Sequence, residues 1–212
     1  MSQNMELANE RMKPEVVVFD LGGVLCEFST KRRLDALSSA SGLPPHEVAL
    51  RLDDCRLIEL ADRGQLTREA EYERAITALE LECDYPTYRA LWCSAFKPNP
   101  GVIAIARTVR HQGRTAILTN NGPVLLDALT HDLSDVGREF TDVFVSAMFH
   151  ATKPQEIVFR GVESKLGVAA QNLLLIDDSM SNIAGARGCG WQGIHFTSAA
   201  QLDHELQRAL HK

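Results

Sequence analysis

The segment Val16-Val17-Val18-Phe19 is an unbroken apolar run dominated by β-branched residues, and it stops at Asp20, followed by Gly22-Gly23. A run this short, with no polar residue at alternate positions, suits a strand buried on both faces, as in a parallel sheet covered by helices. Three similar segments come much later, at Thr115 to Thr119, Asp142 to Ser146 and Leu173 to Asp177, with a weaker one at Gln192 to Phe196. Between them lie stretches of helical periodicity: Val102 to Val109, Val124 to Leu133, Ile157 to Leu166, and Ile183 to Arg187 ending at Gly188. The alternation predicts an α/β fold, a doubly wound parallel sheet with helices on both faces.

Residues 30–97 break that rhythm. They read as several helices with polar faces and no convincing strand, with turns at Gly42-Leu43-Pro44-Pro45 and Arg63-Gly64-Gln65-Leu66-Thr67 and an exit linker at Lys97-Pro98-Asn99-Pro100-Gly101. The expected organisation is a loose arm over 1–14, an α/β core built from 15–29 and 98–212, and a small helical unit inserted over 30–97. A chain of 212 residues has room for one such core and a modest insertion.

Composition narrows the partners. The net charge of -6 is spread along the sequence, without the one-sided basic face that nucleic acid or an anionic membrane selects. The five cysteines, Cys26, Cys55, Cys83, Cys93 and Cys189, are scattered, with no CxxC and no histidine at metal spacing, so reduced structural thiols are expected. No apolar run approaches the ~20 residues that span a bilayer. The first fourteen residues contain no signal-peptide core. The expectation is a cytoplasmic protein with neither nucleic acid nor membrane as partner.

Open parallel sheets bind ligands beyond the carboxyl ends of their strands, so the residues that end the strands are the first candidates for chemistry. Here the first strand ends in Asp20, the second in Thr119-Asn120, the third leads to Lys153-Pro154, and the fourth ends in Asp177-Asp178. Each has an ordinary reading: a turn at Asp20, a helix cap at Thr119-Asn120 or Asp178-Ser179, an exposed Lys before a Pro. Four in succession supply a nucleophile, a hydroxyl, a cation and oxygen ligands for a metal, which is what phosphoryl transfer needs.

Phe19-Asp20-Leu21-Gly22-Gly23-Val24-Leu25, Leu118-Thr119-Asn120, Lys153-Pro154 and Ile176-Asp177-Asp178-Ser179-Met180-Ser181-Asn182 resemble the four ordered motifs of the haloacid dehalogenase superfamily. The resemblance spans Asp20 to about Phe196, and the inserted helices fall where one large subgroup carries a small helical cap. It implies a magnesium-dependent hydrolase of small phosphate monoesters, sugar phosphates among them, acting on a small phosphorylated metabolite through an aspartyl-phosphate. Asp20 would be the nucleophile; Asp20, Asp178 and the carbonyl of Gly22 would hold Mg2+, with Asp177 as a supplementary ligand or a support behind them. Lys153 would act as a catalytic cation, while Thr119, Asn120 and Lys153 bind the transferring group and Asn182 orients the metal-binding loop. Glu59 to Thr67 resembles the cap loop that dips towards the reacting group, which makes Arg63 a candidate substrate contact; its ordinary reading is a solvated Arg at a helix end. Tyr88, Trp92 and Phe96, at roughly helical spacing, are expected in the cap core.

One departure matters. Phosphatases of this superfamily usually carry a second Asp two residues after the nucleophile, as general acid and then base, and this chain has Gly22 there. Help of that kind is worth ~10² to 10⁴ in rate. Some members with sugar-phosphatase activity also carry Gly at that place, and leaving groups of low pKa, such as an anomeric hydroxyl or an acyl phosphate, suffer least from the loss. The competing expectations are a metal-free dehalogenase using the same Asp20 on carbon, a non-catalytic phosphate-binding module, and a free-standing relative of the phosphatase-like domain of epoxide hydrolases.

Overall fold

A computed structural model of the chain describes residues 12–210, so most of the expected arm over 1–14 lies outside the described residues. Strand β1 (Val16–Phe19) leads into a short β2 (Cys26–Phe28) and five helices: α1 (Thr30–Ser41), α2 (Pro45–Asp54), α3 (Leu57–Asp62), α4 (Arg68–Leu79) and α5 (Tyr85–Cys93). The chain returns through β3 (Phe96–Pro98) to α6 (Pro100–Arg110), β4 (Arg114–Thr119), α7 (Val124–Thr130), α8 (Ser134–Gly137) and β5 (Asp142–Val145). It ends with α9 (Glu156–Leu166), β6 (Leu173–Asp177), α10 (Met180–Gly188), β7 (Gln192–His195) and α11 (Ala199–Leu210).

The five core strands form one parallel sheet in the order β5-β4-β1-β6-β7. The period of two along β1 divides the interior. Val17 and Phe19 point into one apolar layer with α6, α7 and α11, while Val16 and Val18 point into the other with α9 and α10. Because β4 and β5 extend the sheet on one side of β1 and β6 and β7 on the other, strand order reverses at β1, opening a crevice at its carboxyl end. Asp20 is the first residue past that end; its amide donates to Ile176 O at 2.9 Å, which puts it alongside Asp177 in the neighbouring strand.

The inserted helices carry their own start and stop signals. Ser29 Oγ accepts from Arg32 N, Thr67 Oγ1 from Ala70 N and Asp84 Oδ1 from Thr87 N, each satisfying an amide that helix geometry leaves free. One feature differs from expectation. Cys26–Phe28 and Phe96–Pro98 pair as a two-stranded antiparallel ribbon, where no strand was expected between 30 and 97. The ribbon ties the way into the helical insertion to the way out, with Phe28 and Phe96 packed ring to ring at 5.2 Å. Among the described residues no helix is long and apolar enough to cross a membrane.

The insertion is latched to the core mainly through α7. Arg68 and Tyr85 both bind Asp127, at 2.9 and 2.8 Å, and Ser146 Oγ donates to the backbone carbonyl of Asp62 at 2.7 Å. Glu71 of α4 is buried at the contact and accepts from Val124 N, at the start of α7, at 3.3 Å. Burial raises its pKa to about 7, against the lowering effect of that amide. Since the folded value lies above the ordinary 4.5, the stability Glu71 contributes is full below about 4.5 and is lost as pH rises through 7. Glu71→Gln keeps an acceptor and removes the charge. Thermal unfolding between pH 5 and 8 is expected to show a smaller loss of stability in the variant, with an advantage of up to about 3 kcal/mol at the alkaline end; identical slopes would refute the latch's titration.

Candidate active site

The crevice at the end of β1 opens into a cavity of about 510 Å3 between the sheet and the insertion, a size suited to a small molecule. The core contributes Asp20, Gly22, Thr119, Asn120, Lys153 and Asp178 to its lining, and the insertion contributes Arg33, Leu52, Asp62 and Trp92.

Lys153 is the centre of the charge arrangement. It is 4% exposed, and its Nζ lies 3.0 Å from Asp20 Oδ1 and 2.6 Å from Asp177 Oδ2, and donates to Leu118 O at 2.9 Å. All three ammonium hydrogens therefore have acceptors. Its placement is fixed from behind by Asn120, whose side chain accepts from Lys153 N at 2.8 Å and donates to Lys153 O at 3.0 Å. Burial alone would pull the Lys153 pKa down, but the two carboxylates outweigh it and the net direction is up.

Asp20 is 8% exposed, with Oδ1 accepting from Leu21 N at 2.7 Å. Two influences oppose each other here: the ion pair with Lys153 favours the carboxylate, while burial and the charge of Asp177 disfavour it. Burial is the largest, and the pKa is raised to about 6. Asp20 is thus an ionised carboxylate at neutral pH, poorly solvated and open to the cleft.

Asp20, Asp177 and Asp178 each bring a carboxylate oxygen within 4.8 Å of the others, a donor set that fits a hard divalent cation. The three are not equivalent. Both oxygens of Asp177 are already engaged, Oδ2 by Lys153 and Oδ1 by Ser179 N at 2.9 Å, with Asn182 Nδ2 reaching both at 3.0 and 3.1 Å. Asp177 is the counter-ion that holds Lys153 and the following loop. Asp178 is exposed to the cleft, and burial, with the charge of Asp177, raises its pKa. Gly23 is what allows Asp178 its position: φ is +84°, and a Cβ there would lie 2.1 Å from Asp178 Oδ2. A Cβ on Gly22 would sit 3.5 Å from Phe28 and Phe96, an ordinary contact.

Thr119 is buried at the cleft floor and its hydroxyl accepts from Asn121 Nδ2 at 2.8 Å, which leaves its own hydrogen to donate. Arg63 is exposed at the C-terminal cap of α3 and is not part of the cavity lining, which its neighbour Asp62 joins instead. Burial raises the Asp62 pKa to about 6, against the pull of Arg33. Tyr88 packs in the core of the insertion, but Trp92 and Phe96 also form cleft wall.

Arg33 had no role in the sequence reading. It lies on α1, four residues before buried Leu37, so a cation occupies the helix's apolar face. That clash with amphipathic pattern was the available signal.

Residues 14–190 match the haloacid dehalogenase-like hydrolase family. A hydrolase of Saccharomyces cerevisiae, YOR131C, is 26% identical over 179 residues, 83% of this chain and 74% of the yeast protein. A HAD-like family hydrolase from Porphyromonas gingivalis superposes with a TM-score of 0.75 at 20% identity, covering 94% of this chain and 99% of that one. A HAD family enzyme from Bacteroides thetaiotaomicron, solved with magnesium and inorganic phosphate, gives 0.70 at 17% identity, covering 87% and 94%. The L-2-haloacid dehalogenase of Xanthobacter autotrophicus gives 0.59 at 22% identity, covering 92% and 83%. At these identities the solved structures speak for the shared fold, while the family match takes in all four strand-end motifs: the chain belongs to the haloacid dehalogenase-like hydrolases.

Proposed function

We propose that the protein is a magnesium-dependent phosphohydrolase of small phosphorylated metabolites, with Asp20 as nucleophile. The observation that carries this reading is the pairing of Asp20 with Lys153 at 3.0 Å beside the open carboxylate of Asp178. A metal-free dehalogenase gains nothing from a second cleft-facing carboxylate next to its nucleophile, whereas a cation site requires one. The Bacteroides neighbour's complex with magnesium and phosphate is in keeping with that preference.

A lone pair of Asp20 attacks phosphorus in line with the leaving oxygen, the bond from phosphorus to that oxygen breaks, and an aspartyl-phosphate forms. Water then attacks phosphorus, releasing phosphate and restoring the carboxylate. Lys153 and the Thr119 hydroxyl stabilise the charge on the transferring oxygens, while Asn120 keeps Lys153 in position. Asp20, Asp178 and the Gly22 carbonyl are the groups that would hold magnesium, which when bound neutralises charge between nucleophile and phosphoryl group.

The test is nitrophenol release from para-nitrophenyl phosphate with magnesium and with chelator. Release that stops with chelator and returns with magnesium is expected; release indifferent to metal would sink the proposal. Because Gly22 offers no proton, alkyl phosphates should be turned over much more slowly than aryl phosphates. The space at Gly22 accepts a side chain, so Gly22→Asp is expected to raise kcat on an alkyl phosphate by roughly 10- to 100-fold, a part of what a positioned acid supplies. An unchanged ratio between the two substrate classes would refute the account of the missing acid.

A further inference from the structure

The cleft contains a cation that phosphoryl transfer does not use. Arg33 is 5% exposed, lines the cavity from the insertion side, and forms no ion pair among the described residues. Its Nε donates to Trp92 O at 2.9 Å, and its guanidinium carbon lies 4.0 Å from the centre of the Trp92 ring and 5.6 Å from that of Phe28. These contacts fix the plane of the guanidinium and occupy one of its five N–H groups, leaving the terminal fork without a hydrogen-bond partner on the protein. Among the described residues no carboxylate is hydrogen-bonded to it; Asp62 and Glu71 act on it only through their charges, and burial, the largest influence, pulls the Arg33 pKa down. A fork held rigid, desolvated and unpaired inside a cavity is prepared for an anion.

The chemistry around it narrows the anion. The insertion side of the wall is largely apolar, with Leu34, Leu52, Ile58, Trp92 and Phe96 beside Phe28 and only Thr30 adding a hydroxyl, while the amides of Asn120, Asn121 and Asn182 lie on the core side. Asp62 is the other charged group contributed by the insertion, so the insertion side holds one cation against one acid. A monoanion answers that balance better than a second dianionic phosphate. From these features we infer that Arg33 is the specificity-determining residue and takes a carboxylate at the far end of an apolar leaving group, making the substrate the phosphate ester of a short phenolic acid, whose aryl oxygen leaves without a proton donor. This rests on the reading of the Asp20 end as a phosphoryl site, and it turns the substrate class away from sugar phosphates.

The test uses ligands that cannot be hydrolysed, so it does not depend on turnover. Binding of meta-carboxybenzylphosphonate, its carboxamide and its bisphosphonate analogue is measured by calorimetry with magnesium, on the wild-type protein and on Arg33→Met and Arg33→Lys. The carboxylate is expected to bind the wild type at least about tenfold more tightly than the carboxamide, the scale of one charge-assisted hydrogen bond. That preference should fall below about threefold in Arg33→Met and be partly kept in Arg33→Lys, whose ammonium keeps the charge without the fork. A purely structural Arg33 would move both ligands together. Equal binding of carboxylate and carboxamide to the wild type overturns the proposal even if a variant fails to fold, as does a preference that survives Arg33→Met. Tighter binding of the bisphosphonate than of the carboxylate overturns the choice of carboxylate. If nitrophenol release fails while the carboxylate preference holds, the phosphatase reading falls and Arg33 keeps its role; the reverse pattern removes only Arg33.

Discussion

Asp20→Asn is expected to leave a folded protein whose hydrolysis of para-nitrophenyl phosphate is down by about 10⁴-fold or more, the scale on which removing a nucleophile acts. The amide occupies the space of the carboxylate but has no lone pair suited to attack phosphorus. Stability should not suffer. The Asp20 pKa is raised to about 6 because burial outweighs Lys153, so the ionised form destabilises the fold above that pH. A neutral isostere should therefore unfold at the wild-type temperature or above it at pH 7.5. Residual activity within tenfold of wild type would assign the nucleophile elsewhere.

Lys153→Met should cost both activity and stability. Asp20 and Asp177 lie 3.0 and 2.6 Å from the one ammonium group, and removing it leaves two buried carboxylates facing each other. Breaking a buried ion pair from one side typically costs about 3 to 5 kcal/mol, because a charge is left without compensation. The penalty should shrink as pH falls and Asp20 is protonated. Adding Asp177→Asn to Lys153→Met should recover much of the stability and none of the activity. Simple additivity of the two substitutions would mean that the charges are not coupled.

How much of this was legible beforehand depends on the range of the interaction. The strand that ends in Asp20 announces itself through Val16-Val17-Val18-Phe19, because burial on both faces leaves no room for polar alternation. Since strand ends converge at a switch point, Asp20, Thr119, Lys153 and Asp178 could be proposed together from order alone, and the fold brings all four to one cleft. The ribbon of Cys26–Phe28 and Phe96–Pro98 was not legible: three residues carry no period, and the pairing joins segments about seventy positions apart. A place beside the turn at Gly64 makes Arg63 a candidate from sequence, but which of two adjacent residues faces a cleft is not encoded by the turn alone, and it is Asp62 that lines the cavity. Arg33 was passed over because a charged residue among Leu34 and Leu37 reads as surface until α5 delivers Trp92 across from it.

The missing acid at Gly22 also removes the base that would activate water in the second step, so the aspartyl-phosphate should outlive its formation. The most direct measurement mixes enzyme with limiting para-nitrophenyl phosphate and magnesium, quenches in acid at intervals shorter than one turnover, and weighs the protein and its peptides. The account predicts one phosphoryl group on the peptide containing Asp20, appearing with nitrophenol, decaying as phosphate is released, and decaying faster in Gly22→Asp. Magnesium-dependent phosphate release from a protein whose mass never changes, or a phosphoryl group on any other residue, would contradict it.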